Sequence, residues 1–289
     1  MKRIAALFWL LVFSWICASP AVAQEVIRAS GAVSVALPMV EAAKIFRAEN
    51  KIQLVMQAVG GTATGLELLG DRSVGIALCS REVTPIDRAA HPRIQFNEIP
   101  IGVQMVALVV SRDVWEGGVK SISANQARAI YEGRIKNWKE MGGPDTKIAV
   151  FMSEPGRGQW EMFVQWLYGE IKKAPVWHGQ TVKEVQETRN ILDFTRGSFS
   201  LLPFRYVDRE NIFALSVGDS PEKAVEPTVP NVLNSKYPLR RPLLLVIDDK
   251  PTGAIKTIVD FMIGERGQAL VKKTGYITLE ELKASRTDP

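Results

Sequence analysis

Hydrophobic and polar residues along the chain follow two alternating rhythms. Short apolar runs over residues 25–29, 52–59, 75–79, 105–110, 147–151, 199–203, 212–216 and 243–247 predict strands. Apolar positions at three- and four-residue spacing predict helices over 34–49, 64–69, 124–131, 159–168, 182–194 and 252–273. The last has an apolar face of Ile255, Val259, Met262 and Leu270. Strand, glycine turn, helix is the recurring unit, and such alternation predicts an α/β fold with mixed, mostly parallel sheets. Small ligands bind such sheets at the carboxyl ends of the strands, where the turns gather.

Glycines and hydroxyls concentrate in those turns. Ser30-Gly31-Ala32-Val33-Ser34, Gly60-Gly61-Thr62-Ala63-Thr64-Gly65, Cys79-Ser80-Arg81 and Glu154-Pro155-Gly156-Arg157-Gly158 each follow a predicted strand, and three lead into a helix. Glycine lets the backbone approach a ligand closely, and the first amides of a helix point outward with partial positive charge. Several such starts around one cleft would hold a dehydrated oxyanion. Each turn also has a plainer reading: Ser34 and Thr64 as N-caps worth about 1 kcal/mol each, and the glycines as backbone-angle residues. Gly156-Arg157-Gly158 fits neither a Walker loop nor the three-glycine dinucleotide fingerprint.

Catalytic patterns do not assemble. His91 and His178 have no metal-ligand spacing, and there is no Gly-x-Ser-x-Gly elbow or Ser-x-x-Lys motif. No catalytic residue, metal or cofactor is expected. Lys2 and Arg3, an apolar run over 4–18 and Ala21-Val22-Ala23 form a secretory signal peptide over 1–23, which predicts export to the periplasm. The run is shorter than the ~20 residues of a membrane span. Cleavage after Ala23 leaves 266 of the 289 residues, enough for two domains sharing a sizeable core. Cys79 is then the only cysteine, lies in an apolar run and is expected to be buried and inert. Losing Lys2 and Arg3 takes the net charge from +5 to +3. That mild basicity suits small anions and argues against nucleic acid.

Three longer stretches carry a family resemblance. "IYEGRIKNWKEMGG" over 130–143, "YPLRRPLLLV" over 237–246 and "FMIGERGQALVKKTGYITL" over 261–279 resemble, in order, signatures of phosphate-binding proteins from high-affinity phosphate ABC transporters (PstS-like). The resemblance implies a type II periplasmic-binding-protein fold with two α/β lobes around a central cleft. Lobe 1 would comprise 24–106 and 236–289, and lobe 2 would comprise 107–235. It implies a phosphate-like oxyanion in the cleft, an ABC permease or membrane sensor as partner, a monomer, and no chemistry. The alternative is a diverged paralogue that senses or interacts, with another ligand or none.

Carried onto this sequence, the resemblance implies ligand contacts from Ser34, from Gly61, Thr62, Ala63 and Thr64, from Ser80 and Arg81, and from Gly156, Arg157, Gly158 and Gln159. The loops depart from the family pattern. Gly31-Ala32-Val33-Ser34 replaces Gly-Ser-Thr-Thr/Ser, and two hydroxyls are lost. Ser153-Glu154-Pro155-Gly156-Arg157-Gly158-Gln159 replaces Arg-x-x-Gly-Ser-Gly-Thr, so the arginine moves four residues along.

Overall fold

The computed structural model describes residues 25–49, 52–57, 60–155, 157–177 and 179–284. The expected leader at 1–23, Gly156 and His178 lie outside the described residues. The strands are β1 (Glu25–Gly31), β2 (Ile52–Gln57), β3 (Ile76–Cys79), β4 (Phe96–Ser111), β5 (Ser121–Ser123), β6 (Ala149–Ser153), β7 (Gln180–Val182), β8 (Ser198–Pro203), β9 (Ile212–Ala214), β10 (Ser216–Gly218) and β11 (Arg240–Asp248). The helices are α1 (Val33–Ala48), α2 (Gly61–Gly70), α3 (Pro85–Ala90), α4 (Arg112–Glu116), α5 (Ala124–Tyr131), α6 (Gly158–Tyr168), α7 (Val185–Phe194), α8 (Val229–Leu233), α9 (Gly253–Ile263), α10 (Glu265–Lys273) and α11 (Leu279–Ala284).

Nine strands form one mixed sheet in the order β2-β1-β3-β11-β4-β8-β6-β7, with β9 also on β4, while β5 and β10 pair separately. Pairs β1–β2, β1–β3, β6–β7 and β6–β8 are parallel, as strands joined through helices require. The antiparallel pairings all involve the two long strands β4 and β11. β4 changes partner in mid-course: Met105 pairs with Arg240 of β11, and Val106 pairs with Pro203 of β8. Tyr237, fully buried, locks that point by donating its hydroxyl to the Val106 carbonyl at 2.9 Å.

Separate cores form on the two sides of this change. Met39, Phe46, Leu78, Leu245 and Met262 pack among β1, β3, β11 and their helices. Trp138, Phe163, Phe199 and Tyr237 pack beyond it. Trp138, from the 130–143 motif, is fully buried and donates its indole N–H to the Gly197 carbonyl at 3.0 Å, which explains a tryptophan in a polar stretch.

Four elements depart from the periodicity, the first being the strand expected over 212–216, which is split at Leu215 into β9 on β4 and β10 on β5. The helix expected over 252–273 is two helices, because Gly264 adopts an extended ψ of 172° between them. The apolar spacing runs on because α10 folds back on α9: a side chain at Gly267 would strike the Phe261 carbonyl. Val182, expected to open a helix, instead ends β7, paired to β6, and the helix starts at Val185. The strand expected over 105–110 begins nine residues earlier, at Phe96; Asn97, Glu98 and Pro100 on its half-exposed part hide it.

Candidate functional site

β1 and β3 end side by side, with Gly31 in register with Leu78. The Ala32 amide donates to the Leu78 carbonyl at 2.8 Å, which sets the start of α1 over the end of β3. α1 has no side-chain cap, and its Ser34 hydroxyl is buried without a hydrogen-bond partner. α2 also starts without a side-chain cap, with its N-cap Gly60 (φ 77°) and first residue Gly61 (φ 73°) in left-handed conformations. By contrast α3, α5 and α8 are closed by the side chains of Thr84, Ser123 and Thr228. The first amides of α1 and α2 therefore stay available as donors.

Thr62, buried at the second position of α2, ties that helix to the end of β3. Its Oγ1 accepts the Ser80 amide at 2.9 Å and lies 3.4 Å from the Ser80 hydroxyl. Thr62→Val keeps the shape but strands a buried amide, so unfolding free energy measured by urea titration is expected to fall by about 1–3 kcal/mol. Thr62→Ser is expected to restore it.

Arg241, on β11, completes the cluster. Its guanidinium donates to the Ser80 hydroxyl and lies against Gly158, the first residue of α6, where a side chain would collide with it. Among the described residues no carboxylate comes within 4 Å of it. Burial pushes the guanidinium down to about 10, opposed by Glu161 and Tyr276, so it is charged at neutral pH. α6 has no side-chain cap either, and its positive end meets Arg241. Two positive features face each other with no carboxylate within 4 Å among the described residues, an arrangement that an anion stabilises. Gln104 of β4 stands directly opposite Arg241 in the strand register and therefore on the same face. It is 3% exposed, and its Oε1 has no partner.

Of the residues expected at the ligand, Thr62, Ser80 and Gly158 meet at Arg241, and Ser34 lies at the neighbouring helix start. The other two arginines are engaged elsewhere. Arg157 is half-exposed and faces Glu154 at 3.6 Å. Arg81 forks onto Asp87 at 2.6 and 3.1 Å and donates to the Glu82 carbonyl at 2.9 Å. Burial opposes ionisation of Asp87, but bonds from Arg81 and Thr84 prevail and bring its carboxyl to about 2. Thr64 returns its hydroxyl to the Gly60 carbonyl at 3.1 Å. Gly61 and Ala63 stand at the first turn of α2 and Gln159 at that of α6, where each offers a backbone amide. Gly156 lies outside the described residues.

Sequence reasoning missed Arg241, Gln104 and Glu161. Arg241 had a signal: a charge inside the apolar run 239–247 is either on a sheet edge or aimed at a ligand, and β11 is central. Cys79 is fully buried, and burial pushes its thiol well above the usual range. Among the described residues no group of three His, Cys, Asp or Glu side chains is placed to hold a metal, and no helix is long and apolar enough to cross a membrane.

Known proteins share this fold. The chain is similar to the phosphate-binding protein PstS of Bacillus subtilis (strain 168), at 29% identity over 269 residues covering 90% of this chain and 84% of that protein. Its fold is similar to that of a putative phosphate ABC transporter substrate-binding protein with bound phosphate from Clostridium perfringens, with a TM-score of 0.72, 26% identity, and coverage of 88% of this chain and 100% of the other. An ABC-type phosphate transport receptor from Vibrio cholerae has the same fold, with a TM-score of 0.72 and 24% identity over 87% of this chain and 99% of its own. The model of the PBP superfamily domain matches residues 18–266, most of the chain, and the two-sided α/β sheet agrees with it. The chain belongs to the PBP superfamily.

Proposed function

We propose that this protein captures a small tetrahedral oxyanion, most simply phosphate, in a cleft between two lobes and presents it to an ABC transporter. The single observation that carries the reading is Arg241: a charged guanidinium without a carboxylate within 4 Å, set against an uncapped helix start beside Ser80 and Thr62. The phosphate named for the B. subtilis relative, and bound in the C. perfringens structure, supports the choice of ligand. In this reading lobe 1 comprises 24–106 and 236–289, lobe 2 comprises 107–235, and the chain crosses between them where β4 changes partner. The protein works as an exported monomer released from the leader at 1–23. It binds no nucleic acid, catalyses no reaction and meets an ABC permease at the membrane.

Equilibrium unfolding with and without phosphate tests this. A ligand that binds only the folded protein adds about 4 kcal/mol at a thousandfold excess over its dissociation constant. A micromolar binder is therefore expected to raise the melting midpoint clearly at millimolar phosphate. An unchanged midpoint would sink the reading and leave the diverged paralogue in its place.

A further inference from the structure

Arg241 is tied, across β4, to a second arginine. The antiparallel bridge between Ile277 and Val103, with both amides donating at 2.9 Å, brings Tyr276 opposite Gln104, which itself stands opposite Arg241. Residues paired across neighbouring strands share a face, so Arg241, Gln104 and Tyr276 form one row. Tyr276 is 4% exposed, and its hydroxyl accepts from Arg205 at 3.3 Å. Arg205 belongs to the short turn Phe204–Tyr206 that follows β8. Its guanidinium also donates to the Thr274 carbonyl and the Tyr206 hydroxyl, each at 3.2 Å, and lies over two rings, 4.8 Å from the centroid of Tyr206 and 5.6 Å from that of Tyr276. Its stem packs on Gly275, where a Cβ would come within 2.8 Å of the arginine's own.

None of the hydrogen bonds of this clamp goes to Ser80, Gly158 or Arg241. Residues 274–276 fall in lobe 1 of the reading above and residues 204–206 in lobe 2, while Arg241 of lobe 1 touches Gly158 of lobe 2. The clamp and the contact at the anion site therefore span the same boundary. Arginine suits the task, because a planar guanidinium stacks on aromatic faces while its N–H groups donate in the plane. A ligand that binds one arrangement of the lobes loses affinity in proportion to the time that arrangement is absent. We infer that Arg205 is a positioning residue for the anion: clamped between Tyr206 and Tyr276, it fixes the 274–276 turn and, through the row Tyr276–Gln104–Arg241, holds the Arg241 guanidinium against Gly158. The inference rests on the two-lobe oxyanion reading above and adds to it a residue outside the anion's own contacts.

Calorimetry and stopped-flow tryptophan fluorescence with inorganic phosphate test it on the wild type, Arg205→Ala, Arg241→Ala and the double variant. Arg205→Ala should weaken phosphate about tenfold, with the loss in faster dissociation and association changed less than about twofold. Because Arg205 acts through Arg241, the same substitution made on Arg241→Ala should weaken phosphate by less than about threefold more. A residue that only stabilised the fold would cost the same in both backgrounds. Arg205→Met keeps the stem on Gly275 and removes only the guanidinium, so it should give the same losses; it takes the place of Arg205→Ala in the cycle if that variant does not fold. A loss of about threefold or more that vanishes on Arg241→Ala upholds the proposal. If the loss is smaller on the wild type, or equally large on Arg241→Ala, the proposal is overturned while phosphate capture itself stands. If the wild type binds no phosphate, the function proposed above fails first and this inference falls with it.

Discussion

Arg241→Ala lowers phosphate affinity by about a hundredfold, the largest effect expected of any single side chain in the cleft. A hydrogen bond from a charged donor contributes about 1.5–3 kcal/mol, and removal of the cation also takes away the attraction that offsets ligand dehydration. The fold should survive, because among the described residues the guanidinium's one side-chain bond is to the Ser80 hydroxyl. Arg241→Lys keeps the charge but loses the planar fork, so it should recover only part of the affinity. Arg157→Ala is the matching control. Its side chain is 52% exposed and faces Glu154, so its loss should change affinity less than threefold. Calorimetry on the three variants decides the matter: a larger loss at Arg157 than at Arg241 would move the anion to the other side of the α6 start.

Gly31→Ala is expected to destabilise the protein by about 3 kcal/mol or more, the largest effect on folding among the turn residues. Gly31 has a φ of 133°, and a Cβ there would be driven into the Leu78 carbonyl, backbone that cannot step aside. That same carbonyl accepts the Ala32 amide, which fixes the start of α1. Gly61→Ala separates angle from contact. Its φ of 73° is also left-handed, but a Cβ there would meet nothing within 4 Å, so about 1 kcal/mol is expected. Urea titrations of both variants give the comparison, and equal losses would refute the clash at Leu78.

Much of the fold could be read from spacing alone. The helices 124–131 and 159–168 follow their periodicity closely, since each buries one face on the sheet and exposes the other: Ala127, Ile130 and Tyr131 in α5, Trp160, Phe163, Val164 and Leu167 in α6. Periodicity fails where burial stops being one-sided. β4 begins with half-exposed residues and then runs eleven buried positions in succession, so its first half carries no signal and its second half carries too little contrast. α9 and α10 share one apolar rhythm because the second packs back on the first; only the backbone at Gly264 separates them.

The candidate site divides along the same line. Thr62, Ser80 and Gly158 lie in turns, where glycines and hydroxyls after a strand mark a ligand-facing end whatever the rest of the chain does. Arg241 and Gln104 lie inside strands. Gln104 has nothing local to distinguish it and Arg241 only its place in an apolar run; their meaning comes from the pairing of β4 with β11 at the point where β4 changes partner. Arg157 shows the converse. Its place between two glycines in the sequence suggests a ligand contact, but side-chain direction at a helix N-cap depends on its neighbours, and Glu154 three residues back draws it outward.

The sequence by itself determined the α/β alternation, the family, and which turns would supply backbone amides. These follow from periodicities and glycine positions that act over a few residues. The tertiary structure decided which arginine is buried among those turns and which polar residue stands opposite it. Residues 80, 104, 158 and 241 are far apart in the chain; the pairing of β4 with β11 sets Gln104 opposite Arg241, and the guanidinium in turn meets Ser80 and Gly158.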